Sequence, residues 1–146
     1  MTLKFRTRKL IKPEDLNGRS TLFGGRLMAW IDEECAIYCA CQMKTHHIVT
    51  KFISEMNFMN PAYQGDMIEI GVDTVSIGRT SLTLTCVVRN KDTKEDIIRV
   101  EKLVFVAVDR QGRPAPHALA DKAESSPSKK GKGQACIGSL SVNRET

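Results

Sequence analysis

An α+β fold, with an antiparallel sheet wrapped around one long central helix, is what this sequence predicts, and three observations carry it. Residues 27–43 contain no glycine, proline, lysine or arginine, and the pair Gly24-Gly25 stands just ahead of them. Strand-like runs follow, separated only by short turn-forming segments. The chain has 146 residues, 41% hydrophobic and 27% charged, which suits one domain with a sizeable core.

In chain order, residues 2–11 set Leu3, Phe5 and Thr7 alternately against Lys4, Arg6 and Arg8, the period of a strand. Pro13 ends it, and residues 13–21 make a polar loop to the helix start. The helix runs for about five turns at 3.6 residues per turn. It fades near Lys44, whose charge suits a helix C-terminus. Leu27, Met28, Ile31, Cys35, Tyr38 and Cys39 form one broad apolar arc, and Trp30, Ile37, Ala40 and Cys41 cover much of the opposite side. A helix so apolar is expected to be buried almost all round.

Residues 48–58 read as the next strand, leading to Asn60-Pro61 and the turn Gln64-Gly65-Asp66. Residues 67–77 follow, then 80–88, where Leu82, Leu84, Cys86 and Val88 alternate with Thr83 and Thr85. Residues 90–95 form a hairpin turn and 97–108 complete the set. Connections this short imply antiparallel pairing, so the helix is followed by a meander. A five- or six-stranded sheet leaves exposed edges, which a dimer pairs into a continuous sheet. Residues 1–118 are expected to be the folded domain. Residues 119–146, rich in Ser, Lys and Gly and without periodicity, read as a mobile basic tail.

Several function classes drop out. No apolar run approaches the 18 or so residues of a membrane span, and the charged N-terminus has no signal-peptide core, so a cytoplasmic protein is expected. The five cysteines show no CxxC pair and no metal-ligand spacing with histidine, which favours reduced thiols and no metal. The net charge of +5 suits an anionic partner. Nucleic acid is a poor fit, because aromatics are 5% of the chain and no dense basic face appears. A phosphorylated small molecule fits better. There is no G-x-S-x-G, G-x-G-x-x-G or Walker A loop.

Asp32, Glu33 and Glu34 interrupt the apolar helix. They are either a solvated strip favoured by the helix dipole or a held carboxylate with a task, and spacing leaves both open. Likewise Gly78-Arg79-Thr80-Ser81 is, by spacing alone, a hairpin turn.

The run Asn17-x-x-Ser-Thr-Leu-Phe-Gly24-Gly25-x-Leu-Met-x-x-Ile-Asp32-Glu resembles the signature of the cytosolic acyl-CoA thioester hydrolases of the hot-dog fold. The likeness continues through Ile48-Val-Thr50, Met56-Asn-Phe58, Pro61, Gly65-Asp66, Gly78-Arg-Thr-Ser81 and Phe105-Val-Ala-Val-Asp-Arg-Gln-Gly-Arg-Pro114, covering residues 10–117. It departs at Ser20, where many relatives have glycine, and at Thr21, often acidic or an amide.

The resemblance implies a homo-oligomer, at least a dimer and by family habit a hexamer built as a trimer of dimers, with the site between subunits. It implies hydrolysis of acyl-CoA to a free acid and coenzyme A, with no cofactor beyond the substrate. Asp32 is then general base or direct nucleophile, and Asn17 orients water or hydrogen-bonds the carbonyl. The N–H groups of Gly24 and Gly25 supply the oxyanion hole. Gly78, Arg79, Thr80 and Ser81 contact coenzyme A, with Arg79 on a phosphate; Arg113, then Arg110, are further phosphate partners. Thr50 and residues 56–58 are read as sheet interior beside the acyl tunnel. Two rivals are a hot-dog hydratase, which lacks its histidine here, and a non-catalytic acyl-CoA-binding or sensing module.

Overall fold

The computed structural model describes residues 3–123. The chain opens with strand β1 (Lys4–Leu10), a 3-10 turn (Pro13–Asp15) and helix α1 (Gly24–Met43). Strands β2 (Ile48–Ile53), β3 (Met56–Phe58), β4 (Met67–Ile77), β5 (Ser81–Asn90) and β6 (Asp96–Ala107) follow, then the short helix α2 (Ala120–Ala123). The tail expected beyond residue 118 lies outside the described residues from 124 onward.

All pairs in the six-stranded sheet are antiparallel, in the order β1-β4-β5-β6-β2, with β3 also on β6. Only β4-β5-β6 is the meander that short connections lead one to expect. β1 and β2 lie at opposite edges, because α1 carries the chain across the sheet between them. The run expected as one strand over 48–58 is two. β2 pairs with Leu103 to Ala107 and β3 with Ile98 to Val100. Between them Ser54 bridges β6 in both directions, its N–H donating to Lys102 O at 2.8 Å and its Oγ accepting the Lys102 N–H at 3.2 Å.

Helix α1 touches β2, β4, β5 and β6 along a single stripe, Leu27, Ile31, Cys35, Cys39 and Met43, each one turn from the next. Opposite it lie Leu82, Leu84, Val88, Ile98, Val100, Leu103 and Phe105, all buried. Each large aliphatic side chain removed from water here contributes about 1.5–3 kcal/mol. The expectation of a helix buried on all sides is corrected: Met28 and Ile37 are 44% and 52% exposed within one chain. The helix ends where Lys44 adopts the left-handed conformation (φ 54°) and its N–H returns to Ala40 O.

The loop from β1 to α1 is tied down by Asp15, which is buried. Its Oδ2 accepts the Lys12 N–H at 2.9 Å, its carbonyl accepts the Phe23 N–H at 2.8 Å, and its Oδ1 lies 3.4 Å from Arg26 Nε. At the β1 edge, Glu69 of β4 is buried yet charged. Arg89 Nε at 2.7 Å and Lys94 Nζ at 3.0 Å both donate to it, and Arg8 Nε stands 3.8 Å away. Burial pushes this carboxyl up, and the hydrogen bonds from Lys94 and Arg89 outweigh it, leaving it below its ordinary value. Arg89 also stacks on Phe5 of β1, 3.6 Å from the ring centre.

Candidate active site

The helix turn of about 100° per residue sorts the three acids of α1 into different places. Asp32 faces the β2 edge, where Thr50 Oγ1 donates to its Oδ1 at 2.8 Å. Glu34 faces the β1 edge, where Thr7 Oγ1 donates to its Oε2 at 2.6 Å. Glu33 is exposed. Thr50 is not sheet interior, as its motif position led one to expect; it is exposed, because β2 has an unpaired side. Asn57 and Phe58 are exposed for the same reason on the neighbouring β3.

Asn17 is held by its own loop. Its Oδ1 accepts the N–H of Arg19 at 2.9 Å and of Thr21 at 3.2 Å, and its Nδ2 donates to Thr21 Oγ1 at 3.0 Å. Two backbone donors on the oxygen fix the amide's orientation and leave one N–H to offer. That N–H is free to donate to either a carbonyl or a water oxygen. Ser20 lies in the same loop at φ 62°, the left-handed region that favours glycine.

A groove of about 460 Å³ is lined by Asn17, Gly24, Leu27, Phe58, Met59 and Ile97 among others. A Cβ at Gly24 would meet the Phe58 ring at 3.4 Å, an ordinary contact, so the backbone here lies close against the groove wall. No side chain caps α1 at Phe23, and the N–H groups of its first turn, Gly24 and Gly25 included, have no intrahelical acceptor. They present the positive end of the helix dipole. Asp32 does not line this groove. Within one chain, then, Gly24 and Asn17 come together, while Asp32 stands apart with Thr50.

The turn at 78–81 joins β4 to β5. A Cβ on Gly78 would fall on the Ser81 hydroxyl, and the Gly78 N–H donates to Ser81 O at 2.9 Å. Arg79 is exposed. Arg110 and Arg113 are exposed in a second turn, where Asp109 Oδ1 accepts the N–H groups of Gln111 and Arg113, both at 2.9 Å. Among the described residues no three His, Cys, Asp or Glu side chains converge as a metal site, and no helix is long and apolar enough to cross a membrane.

Sequence reasoning misplaced Thr50 and assigned no role to Glu69 or His117. Thr50 is the one hydroxyl on β2, and Glu69 the one acid at the start of an apolar strand; both were visible signals. His117 had none, because its partners are 36 and 39 positions away.

A long helix cradled by a six-stranded antiparallel sheet is the hot-dog architecture. Residues 20–97 match the thioesterase superfamily, and the chain belongs to that family. It is 32% identical over 115 residues to the acyl-CoA thioester hydrolase YciA of Salmonella typhimurium, covering 75% of this chain and 86% of that one. An uncharacterized acyl-CoA thioester hydrolase of Bacillus subtilis, YkhA, is also 32% identical, and the match spans 62% of its length.

Among solved structures, a hexameric broad-specificity acyl-coenzyme A thioesterase superposes with a TM-score of 0.72 and 25% identity, over 84% of this chain and 95% of that one. A hotdog fold thioesterase of Campylobacter jejuni (TM-score 0.68, 21% identity, 82% and 92% covered) shows the same fold. The acyl-CoA hydrolase of Staphylococcus aureus, solved with butyryl coenzyme A and coenzyme A, gives 0.69 at 29% identity, over 76% and 66% of the two chains. It has also been solved with an asparagine, an aspartate or a threonine changed to alanine. That asparagine and aspartate are separated by the same number of positions as Asn17 and Asp32.

Proposed function

We infer that this chain is an acyl-CoA thioesterase, releasing a free acid and coenzyme A. The observation that carries this reading is the Asp32 carboxylate, held by the Thr50 hydroxyl at an unpaired sheet edge that a second chain can complete. Asp32 either takes a proton from the water that attacks the thioester carbonyl, or attacks that carbon itself to form a mixed anhydride that water then cleaves. In both routes the carbonyl oxygen gains charge, and we assign the Gly24 and Gly25 N–H groups with the spare Asn17 N–H to meet it. The coenzyme A sulfur leaves and takes up a proton.

Because Asn17 and Gly24 share a groove that Asp32 does not enter, we assign Asp32 to a site whose groove comes from the partner subunit. A dimer is the smallest active unit, and the hexameric relatives support a trimer of dimers. Arg79 of the 78–81 turn, with Arg113, is placed on the phosphates of coenzyme A. We treat residues 1–118 as the catalytic domain. A cytoplasmic setting fits the buried, unpaired thiols of Cys35, Cys39 and Cys86.

The test follows thiol release from acyl-CoAs of graded chain length by wild type, Asp32→Ala and Asn17→Ala. Turnover falling about 10²–10⁴-fold in Asp32→Ala, with coenzyme A still bound, is expected for a lost general base. Tight acyl-CoA binding by wild type without thiol release would reinstate the sensing module.

A further inference from the structure

The turn assigned to coenzyme A has all four of its carbonyl oxygens occupied, and one residue accounts for three of them. His117 Nε2 lies 2.8 Å from Gly78 O and 3.0 Å from Ser81 O, and its backbone N–H reaches Arg79 O at 3.4 Å. The fourth, Thr80 O, accepts the Ala107 N–H at 2.8 Å. Two carbonyls around one ring nitrogen can only accept, so Nε2 carries the proton. Nδ1 is then the acceptor, and it takes the Leu119 N–H at 3.1 Å. The imidazole is buried, 7% exposed, with both nitrogens satisfied.

The consequence lies on the other face of the turn. With its carbonyls drawn inward, the N–H groups of Arg79 and Thr80 have no acceptor among the described residues, and the Arg79 guanidinium has no ion-pair partner there. Successive outward N–H groups beside a guanidinium form a concavity suited to a phosphate. Turned the other way, the same segment would present carbonyl oxygens and repel one.

We propose that His117 is the positioning residue of the nucleotide end of the substrate: it draws the 78–81 carbonyls inward so that Arg79 and the adjacent amides face the coenzyme A phosphates. This rests on the reading of that turn as the coenzyme A contact. His117 touches neither the thioester nor the phosphates, so its effect appears in binding of the nucleotide and not in bond cleavage.

The experiment compares wild type, Arg79→Ala, His117→Leu and His117→Gln on two substrates carrying the same acyl group, one on coenzyme A and one on pantetheine, which lacks the nucleotide. Arg79→Ala and His117→Leu are expected to raise KM for acyl-CoA about tenfold at unchanged kcat, the size of one lost charge-assisted contact. Neither should move the values for acyl-pantetheine. His117→Gln, whose amide offers two N–H groups near the position of Nε2, should recover most of the loss. If His117→Leu does not fold, His117→Asn, too short to reach both carbonyls, carries the same expectation. Equal damage on both substrates, or a fall in kcat alone, overturns the assignment to His117. An Arg79→Ala enzyme that treats the two substrates as wild type does overturns the reading of the turn itself.

Discussion

The two edges of the sheet are built on opposite plans. At β1, every second side chain is a cation, Lys4, Arg6 and Arg8, and the acids nearby are satisfied within the chain: Glu69 by Arg89 and Lys94, Glu34 by Thr7. Charges along an unpaired strand keep a second strand from adding to it. At β2, Val49 and Phe52 are 36% and 48% exposed, with Phe58 and Met59 beside them at 56% and 54%. An apolar strip of this kind on an unpaired edge is a surface awaiting a partner. Asp32, held by Thr50 at that edge, is the acid assigned to chemistry. One edge is closed by its own charges, and the other is left for a second copy and a substrate.

The largest effect should come from charging the open edge. Val49→Glu is expected to lower the mass of the assembly in light scattering and to cut turnover by more than about tenfold, since like charges then meet across a two-fold contact. A monomer that hydrolyses acyl-CoA as well as wild type would break the contrast between the edges.

At the closed edge the loss should fall on stability and spare catalysis. Glu69→Gln is expected to cost about 2 kcal/mol, the scale of a hydrogen bond to a charged group, with kcat unchanged, by chemical denaturation and thiol release. The folded carboxyl sits below its ordinary value, so its contribution is fully present above the unfolded pKa of about 4.3 and is lost as pH falls through the folded value. Wild type should therefore lose more stability than Glu69→Gln over that acid range.

The smallest effect sharpens the comparison most. Thr50→Val and Thr7→Val remove the same hydroxyl from the same kind of bond to the same helix, at opposite edges. Thr50→Val should lower kcat/KM about tenfold through a misplaced Asp32, equivalent to about 1.4 kcal/mol. Thr7→Val should leave it unchanged. Equal effects would mean that helix placement alone is being read.

What was legible beforehand was whatever repeats locally. The helix bounds and the strands near 2–11 and 80–88 follow from apolar patterning and alternation, those at 67–77 and 97–108 from apolar runs between turns, and Lys44 closes the helix as its position suggested. The break between β2 and β3 was not legible, because it is made by Ser54 meeting Lys102 across the sheet. Spacing left Asp32, Glu33 and Glu34 equivalent and only the motif singled out Asp32; their different surroundings, set by the distant hydroxyls of Thr50 and Thr7, were not legible. The hydrogen bonds of Asn17 lie within four residues and belonged to local reading, yet their number, which commits its oxygen, needed coordinates.

The cysteines of the core have one more consequence. Cys35, hydrogen-bonded to the free Cys86 thiol and buried, has its thiol pushed far above the usual range, and burial pushes Cys39 up to about 12. Neither forms a thiolate at neutral pH, so neither exchanges with disulfides. A catalyst whose product is itself a thiol thus keeps its interior out of reach of mixed disulfides with what it releases. Among the described residues Cys41 alone lies exposed to them.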